Sequence, residues 1–529
     1  MDQAAPATTD AKPAPITLRT RVAVGGALIG AFMAVLNIQV VNTSLPDIQG
    51  GIGTGLDDGG WISTAYLIGE IIVIPLSGWL SEVFSLRRYL IASTILFLTF
   101  SAACGLADNF PEMVALRALQ GFSGGCLIPL ALTVVITLLP PRARPVGFAL
   151  FALTATFAPA IGPTIGGWIT DVYGWRYIFF LNLAPGALML SALFWGLQPA
   201  PMKLWRFAQG DWIGIAGMAV GLGCLQVVLE EGNKDDWFGS PFITRLSIIS
   251  AVALALFFWQ ELRRGNKFPL VNLRLFKLYN YALACGAGVM LGFVLYAAVY
   301  LIPVYLAVAH GYSARQAGAV MLWIGLPQLF IIPFMPMLMN RFEPRRLLAF
   351  GFFLFAVSAF MNMNLGPNDS GPQLLVPNLI RAVGQALVFA PISAIATAGI
   401  AFKDAASASS MFNMLRNLGG AIGIAVVQTF TTDREKFHSA IITPDASLMN
   451  QATRGRIGEL QAYLMSRGLP DPAAAHHEAV ILIGRAIEGQ STYLAYGDSF
   501  ALLGTGMVVA MLMALLLRPA QGQGAPGAH

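Results

Sequence analysis

Apolar runs of about twenty residues alternate with short polar breaks along almost the whole chain, and each run is long enough to cross a hydrocarbon layer of roughly 30 Å as a helix. Fourteen such runs lie near 22–45, 60–80, 89–107, 113–138, 146–170, 176–197, 212–230, 244–261, 281–309, 315–340, 347–365, 374–401, 408–430 and 496–517. Pro303, Pro327, Pro333 and Pro336 interrupt the ninth and tenth. An even number of crossings puts both ends of the chain on one side. The opening stretch, residues 1–20, is rich in Ala, Pro and Thr and lacks the apolar centre of a signal peptide, so it reads as a disordered tail, with 518–529 as a second one.

The alternation fails once. From about Thr431 to Ala495 the chain is polar, with helical periodicity over Ala446 to Arg467 and Ala473 to Tyr493, broken by Gly468-Leu469-Pro470-Asp471-Pro472. The pattern predicts a helical hairpin above the membrane over 431–495, either a solvated lid or a docking surface. Its apolar positions Leu460, Tyr463, Leu464, Val480, Leu482, Ile483 and Ile487 exceed what two helices hide in each other, so part of it should rest on the membrane domain or on a partner.

Composition sharpens this into a polytopic membrane protein. Of 529 residues 56% are hydrophobic and 11% charged, against roughly 25% charged in soluble domains. The formal charge of +5 is therefore read loop by loop rather than as a nucleic-acid footprint. With a cytosolic N-terminus the inside segments hold Lys12, Arg19, Arg21, Arg87, Arg88, Arg142, Arg144, Lys203, Arg206, Arg263, Arg264, Lys267, Arg274, Lys277, Arg341, Arg345, Arg346, Lys403 and Arg518. The short outside loops hold Arg176, Lys234, Arg245 and Arg315. By the positive-inside rule both termini are cytosolic. Acids including Asp57, Asp58 and Asp108 fall outside. Cys104, Cys126, Cys224 and Cys285 lie in apolar runs without metal-ligand spacing, and His476-His477 reads as surface rather than a metal site. The chain has no GxxxxGK[ST] phosphate loop, which argues against ATP as the energy source.

Charges inside the spans narrow the chemistry to four side chains, Glu70, Arg117, Arg381 and Arg416. An ionisable group at mid-membrane costs roughly 2.5–3.5 kcal/mol on insertion scales, so it faces a partner or a water-filled path. Glu70 stands near the middle of its span and is the candidate to carry a proton; the plainer role is a carboxylate permanently paired with an arginine. Arg117 keeps its charge, so its role is either to act electrostatically on a nearby carboxylate or to brace helices. Arg117-Ala-Leu-Gln120-Gly121 with Pro129 downstream matches Arg381-Ala-Val-Gly384-Gln385 with Pro391, an internal repeat that predicts two parallel halves with a substrate path between them. The halves are 21–197 and 263–517, with two inserted helices in 198–262. Phe293, Tyr296 and Tyr300 recur at helical spacing on the ninth span, where they either line that path or pack in the core, and Gln328, Gln385 and Asn413 are candidate polar anchors.

One stretch of the fifth span is unusually smooth. Gly162-Pro163-Thr-Ile-Gly166-Gly167 removes side chains from one helix face and two backbone donors, counting Pro159, from the helix. It is either a close-packed helix pair or a sliding contact. It also resembles the antiporter motif of major-facilitator drug/proton antiporters, with Ala158 at the usual first glycine. Four further segments extend the resemblance to the fourteen-helix family and its EmrB-type multidrug exporters: Leu229 to Phe238, Pro269 to Lys277, Ala408 to Gly420, and the long loop before the last span.

The resemblance implies an all-α major-facilitator fold and proton-coupled efflux of drug-like amphipathic compounds across a bacterial inner membrane. The proton gradient would be the energy source, with no bound cofactor. A periplasmic adaptor protein and an outer-membrane channel are the implied partners. In the first span, Asn37 stands where the family has an acid and Gln39 where it has a Thr, followed by Asn42, all on the implied substrate path with Gln120 and Arg381. Asn37 cannot titrate, so the proton duty passes to Glu70, with Arg117 implied in proton transfer. Gly78 to Arg88 resembles the superfamily's loop between the second and third helices, with Glu82 for the usual Asp. Glu82, Arg87 and Arg88 would latch the cytosolic side by pairing with the other half; as topology charges, the two arginines need no partner. An uptake symporter of the same fold would share all of this except the antiporter motif, and a receptor or membrane enzyme is the more distant alternative.

Overall fold

The computed structural model describes residues 16–55, 58–263, 270–401 and 404–518. The tails 1–15 and 519–529, with Lys12, Asp57, Arg264, Lys267 and Lys403, lie outside the described residues. Everything regular among the described residues is helical. That is what a bilayer demands, since a helix satisfies its own backbone where no water is present.

Fourteen helices are long and apolar enough to span: α1 Leu18–Thr43, α2 Trp61–Phe84, α3 Leu86–Leu106, α4 Phe110–Leu138, α5 Arg144–Tyr173, α6 Tyr177–Gly196, α7 Trp212–Glu231, α8 Pro241–Leu262, α9 Tyr279–His310, α10 Arg315–Arg341, α11 Pro344–Met361, α12 Leu375–Thr397, α13 Ala405–Asp445 and α14 Pro472–Leu516. Local chemistry starts several of them. The Asn109 side chain accepts from the Glu112 amide ahead of α4, with a proline in the first turn. Ser313 and Gln316 form a reciprocal capping box at the head of α10. Of the prolines expected to interrupt α9 and α10, Pro303 is absorbed within a continuous α9, while Pro333 sits in a tighter turn, Ile332–Phe334, within α10.

The chain folds as two six-helix halves, α1–α6 and α9–α14, with α7 and α8 inserted. The packing repeats: α1 lies on α5 and α2 on α4 in one half, as α9 lies on α13 and α10 on α12 in the other. Two seams join the halves, α5 with α10 and α2 with α13. Small residues close both. On the first, a side chain added at Gly318 would press on Thr164, and one at Gly325 on Ala160. On the second, Gly78 lies against Ala406, and Ser77 and Ser410 share a hydrogen bond of 2.9 Å; beside it, Ser409 of α13 donates to the Pro129 carbonyl of α4 at 2.7 Å. The inserted pair packs on α2, and Trp237 beyond α7 donates to Thr429 of α13 at 3.0 Å.

The hairpin differs from its sequence-based expectation. α13 does not stop near residue 430 but runs 41 residues to Asp445, and α14 is one helix of 45 residues starting at Pro472. Between Tyr493 and Phe500 the only glycine is Gly497 and there is no proline, so the helix propagates through the polar-to-apolar boundary instead of nucleating afresh. The two long helices are clamped where they turn polar. Arg434 Nε and His438 Nε2 lie 2.6 and 2.7 Å from Asp498, and Thr431 bonds Ser499 at 2.7 Å. Gln451–Ser466 packs back on the start of α14, burying Ile457, Ala475 and Ala479. Leu460, Leu464, Leu482, Ile483 and Ile487 are half-buried, while Tyr463 and Val480 stay exposed.

Candidate functional site

Glu70 sits nine residues into α2, about 13 Å along a helix rising 1.5 Å per residue, and is buried at 3% exposure. The backbone of α4 presses against it at Gly125, where an added methyl would collide with Glu70. Its partner comes from the other half: Asn417 Nδ2 of α13 donates to Glu70 Oε1 at 3.1 Å. Asn417 Oδ1 in turn accepts from Tyr296 of α9 at 3.3 Å and from Arg416 Nη2 at 3.4 Å. The second carboxyl oxygen has no hydrogen-bond partner among the described residues. Glu70 is therefore a buried acid near the middle of its span that reaches across the α2–α13 seam, where a change of its charge acts directly on how the two halves hold together.

Arg117 is held entirely within its own half. Its Nη1 donates to Asn37 Oδ1 at 3.0 Å and to Gln120 Oε1 at 2.7 Å, its Nε donates to the Ile62 carbonyl at 3.1 Å, and the guanidinium stacks 4.3 Å from the Tyr66 ring. Asn37 and Gln120, read from sequence as substrate-path residues, are thus the ligands of a buried arginine, and that set gives Arg117 a bracing geometry. Asn37 stands where a family acid would, and its carboxamide oxygen serves Arg117 as a neutral acceptor.

Arg381, on the matching turn of α12, is as deeply buried but differently placed. It lies over the Phe355 ring at 5.0 Å, and none of its three guanidinium nitrogens has a hydrogen-bond partner among the described residues. It borders a narrow cavity between the halves, walled by Thr156, Pro159 and Ala160 of α5 and by Leu295, Val299, Met321, Ile324 and Gln385. A second narrow space, inside the C-terminal half, is bordered by Arg381, Ser358, Asn362 and Asn378. Gln328 donates to Gln385 Oε1 at 2.9 Å, so the three sequence candidates Gln328, Arg381 and Gln385 do come together.

The remaining candidates divide between the seams and the edges. Phe293, Tyr296 and Tyr300 share the α9 face; Phe293 and Tyr296 pack on Gly423 and Gly420 of α13. Asn413, one turn before Asn417, donates to the Ser409 carbonyl at 2.9 Å. Gln39 packs on Gly162, and Asn42 accepts from Ser63 at 2.7 Å near the end of α1.

The structure shows which helix the smooth stretch of α5 packs on: a side chain at Gly162 or Gly166 would meet Gln39 and Val40 of α1, so these glycines, with the buried Pro163 between them, smooth a close contact inside one half. Gly167 alone looks toward α10, at Arg315. The seam itself uses Ala160 and Thr164 against Gly325 and Gly318, two glycines that the sequence reading passed over although their seven-residue spacing puts them on one helix face. The cytosolic latch, in contrast, is built differently from its sequence-based expectation of pairing with the other half. Glu82 pairs with Arg206, because the segment after α6 is laid along the end of α2 by a bond from the Lys203 amide to the Val83 carbonyl at 2.8 Å. Arg87 donates to the Phe194 carbonyl of α6 at 2.9 Å, and Arg88 is exposed. Of the latch residues Gly78 is the one in contact with the other half.

Comparison with known proteins agrees with this architecture. The Major Facilitator Superfamily profile matches residues 27–424. The multidrug export protein EmrB of Escherichia coli K12 is 29% identical over 505 residues, 95% of this chain and 96% of that protein. The fatty acid resistance protein FarB of Neisseria gonorrhoeae is 31% identical over 448 residues, 84% of this chain and 86% of that protein. Among solved structures, the proton:xylose symporter XylE superimposes with a TM-score of 0.57 at 14% identity, covering 96% of this chain and 97% of its own, a likeness of fold.

Proposed function

This chain belongs to the Major Facilitator Superfamily of membrane transporters, and from that premise we propose that it is a proton-driven exporter of hydrophobic or amphipathic toxic compounds. It is a transporter and not an enzyme, and its halves rock about the space between α5 and the C-terminal half in alternating access. The names of the EmrB and FarB relatives, multidrug export and fatty acid resistance, support the direction and the kind of cargo.

The observation that carries the coupling is the bond from Asn417 to Glu70 across the α2–α13 seam. A charged carboxylate makes the stronger, charge-assisted acceptor. Deprotonated Glu70 holds α13; protonation weakens that hold and lets the seam part, so proton entry and cargo exit alternate at one contact. A gradient of protons drives the cycle without a bound cofactor. Basic cytosolic loops support cytosolic termini in a bacterial inner membrane. The α13–α14 hairpin, with Tyr463 and Val480 exposed, is the surface that would meet a periplasmic adaptor and, through it, an outer-membrane channel. Replacing residues 446–471 of its tip by a short Gly/Ser linker should then leave export by the isolated protein intact and abolish adaptor capture.

The test of the transport reading is uptake of a fluorescent amphipath into inside-out vesicles energised with an acidic lumen. Uptake should vanish when a protonophore collapses the gradient, and the Glu70→Gln variant should lose at least tenfold of the gradient-driven rate. Uptake that survives the collapse removes the coupling.

A further inference from the structure

The two narrow spaces beside α12 share one charged lining residue, Arg381. At 2% exposure it is sealed from bulk solvent, and its Nε, Nη1 and Nη2 all lack an acceptor among the described residues. An isolated charge so placed is costly even after local relaxation, and the face of Phe355 offsets only part of that cost. The linings contain no aspartate or glutamate to compensate it, and the acceptor Asn378 Oδ1, which borders the inner of the two spaces, is neutral and has no hydrogen-bond partner among the described residues. Gln385 Oε1 is already taken by Gln328, which leaves the Gln385 Nε2 donor without a partner among the described residues. Four donor nitrogens without acceptors among the described residues, three of Arg381 and one of Gln385, thus belong to side chains that border the cavity between the halves. The walls opposite are Leu295, Val299, Met321 and Ile324, with Pro159 and Ala160 of α5.

A cation and an amide donor at one end of an apolar cleft are complementary to a molecule with an acidic head and an apolar body. Arginine presents paired N–H groups that match the two oxygens of a carboxylate or sulfonate. We propose that Arg381, assisted by the free amide of Gln385, is the anion-recognising end of the transport path, and that the cargo it selects are amphipaths carrying an ionised acidic group. The inference rests on the exporter reading, which leaves the charge of the cargo open. The same residues act against cationic amphipaths, because a positive head at this position meets an uncompensated guanidinium.

Three probes with one apolar body test it: naphthalene-1-sulfonate, a permanent anion, 1-naphthalenemethanol, which is neutral, and 1-naphthylmethylammonium, a cation. Binding to the purified full-length protein in lipid nanodiscs is read by displacement and by calorimetry. The sulfonate should bind at least tenfold tighter than the alcohol and the ammonium weakest. In Arg381→Gln that ranking should flatten, and in Arg381→Lys it should persist in weakened form. Equal affinities for all three in the wild type overturn the inference with no variant needed, as does a ranking that Arg381→Gln leaves intact. Gradient-driven uptake of the three probes in vesicles is scored separately. Export of the ammonium with no preference for the sulfonate sinks the anion site and leaves the exporter standing, whereas Arg381-dependent sulfonate binding without any export sinks the exporter and keeps the site.

Discussion

Arg117 and Arg381 occupy matching turns of two halves that share one packing plan, yet they are finished in opposite ways. The first is wrapped by Asn37, Gln120, the Ile62 carbonyl and the Tyr66 face. The second has Phe355 and no hydrogen-bond partner among the described residues. A duplicated motif has diverged into a brace on one side and an open cation on the other. The difference lies in the neighbours: α9 offers Val294 and Ala298 near Arg381, whereas α1 presents Asn37 to Arg117. The acid between the halves is then left to Glu70, which is bonded to neither arginine but to Asn417.

Swapping each arginine for a methionine of similar length is the strongest way to break this comparison. Arg117→Met leaves the Asn37, Gln120 and Ile62 oxygens without their donor, at about 1–3 kcal/mol for each buried group, so unfolding in mild detergent should show a loss of about 3 kcal/mol or more. Arg381→Met removes an unpaired buried charge and should stay within about 1 kcal/mol of the wild type or gain stability. Equal losses at both positions would mean that the two sites are not different in kind.

A smaller effect is expected from the seams. Gly318→Leu adds a side chain against Thr164 on α5 and should slow export about tenfold, roughly 1.4 kcal/mol in a rate-limiting step, while leaving the folded fraction unchanged by size-exclusion chromatography. The matching enlargement Gly162→Leu acts inside one half, against Gln39, and should lower stability instead. Transport loss without destabilisation at Gly162 would contradict a purely intra-half role for that glycine. The weakest effect belongs to Glu82→Gln. Its pair with Arg206 is about a third exposed on each side, so a stability change below about 1 kcal/mol that shrinks further in high salt is expected in thermal melts.

The spans were legible because a bilayer imposes length and apolarity together, and the first twelve fall within a few residues of the observed helices. Pattern failed at α13 and α14, where helix continues past the membrane on polar residues that hydropathy counts as loop. Glu70, Arg117, Arg381 and Arg416 stood out in sequence because charge in an apolar run is rare. Their partners did not, since Asn417 lies 347 positions from Glu70 and Asn37 lies 80 from Arg117. Glu82 was assigned the wrong partner for the same reason: Arg206 is 124 residues away, brought back by the segment after α6. Gly318 and Gly325 could have been found from their spacing, which marks a smooth face as plainly as the Gly162–Gly167 run does.

The central claim is that Glu70 carries the coupling proton across the α2–α13 seam. The most direct test is proton release from purified protein in a weakly buffered solution on addition of a transported amphipath, followed with a pH dye. Wild type should release protons in proportion to bound cargo, and Glu70→Gln should bind cargo with no release. Release from the Gln variant equal to that of the wild type would contradict the assignment.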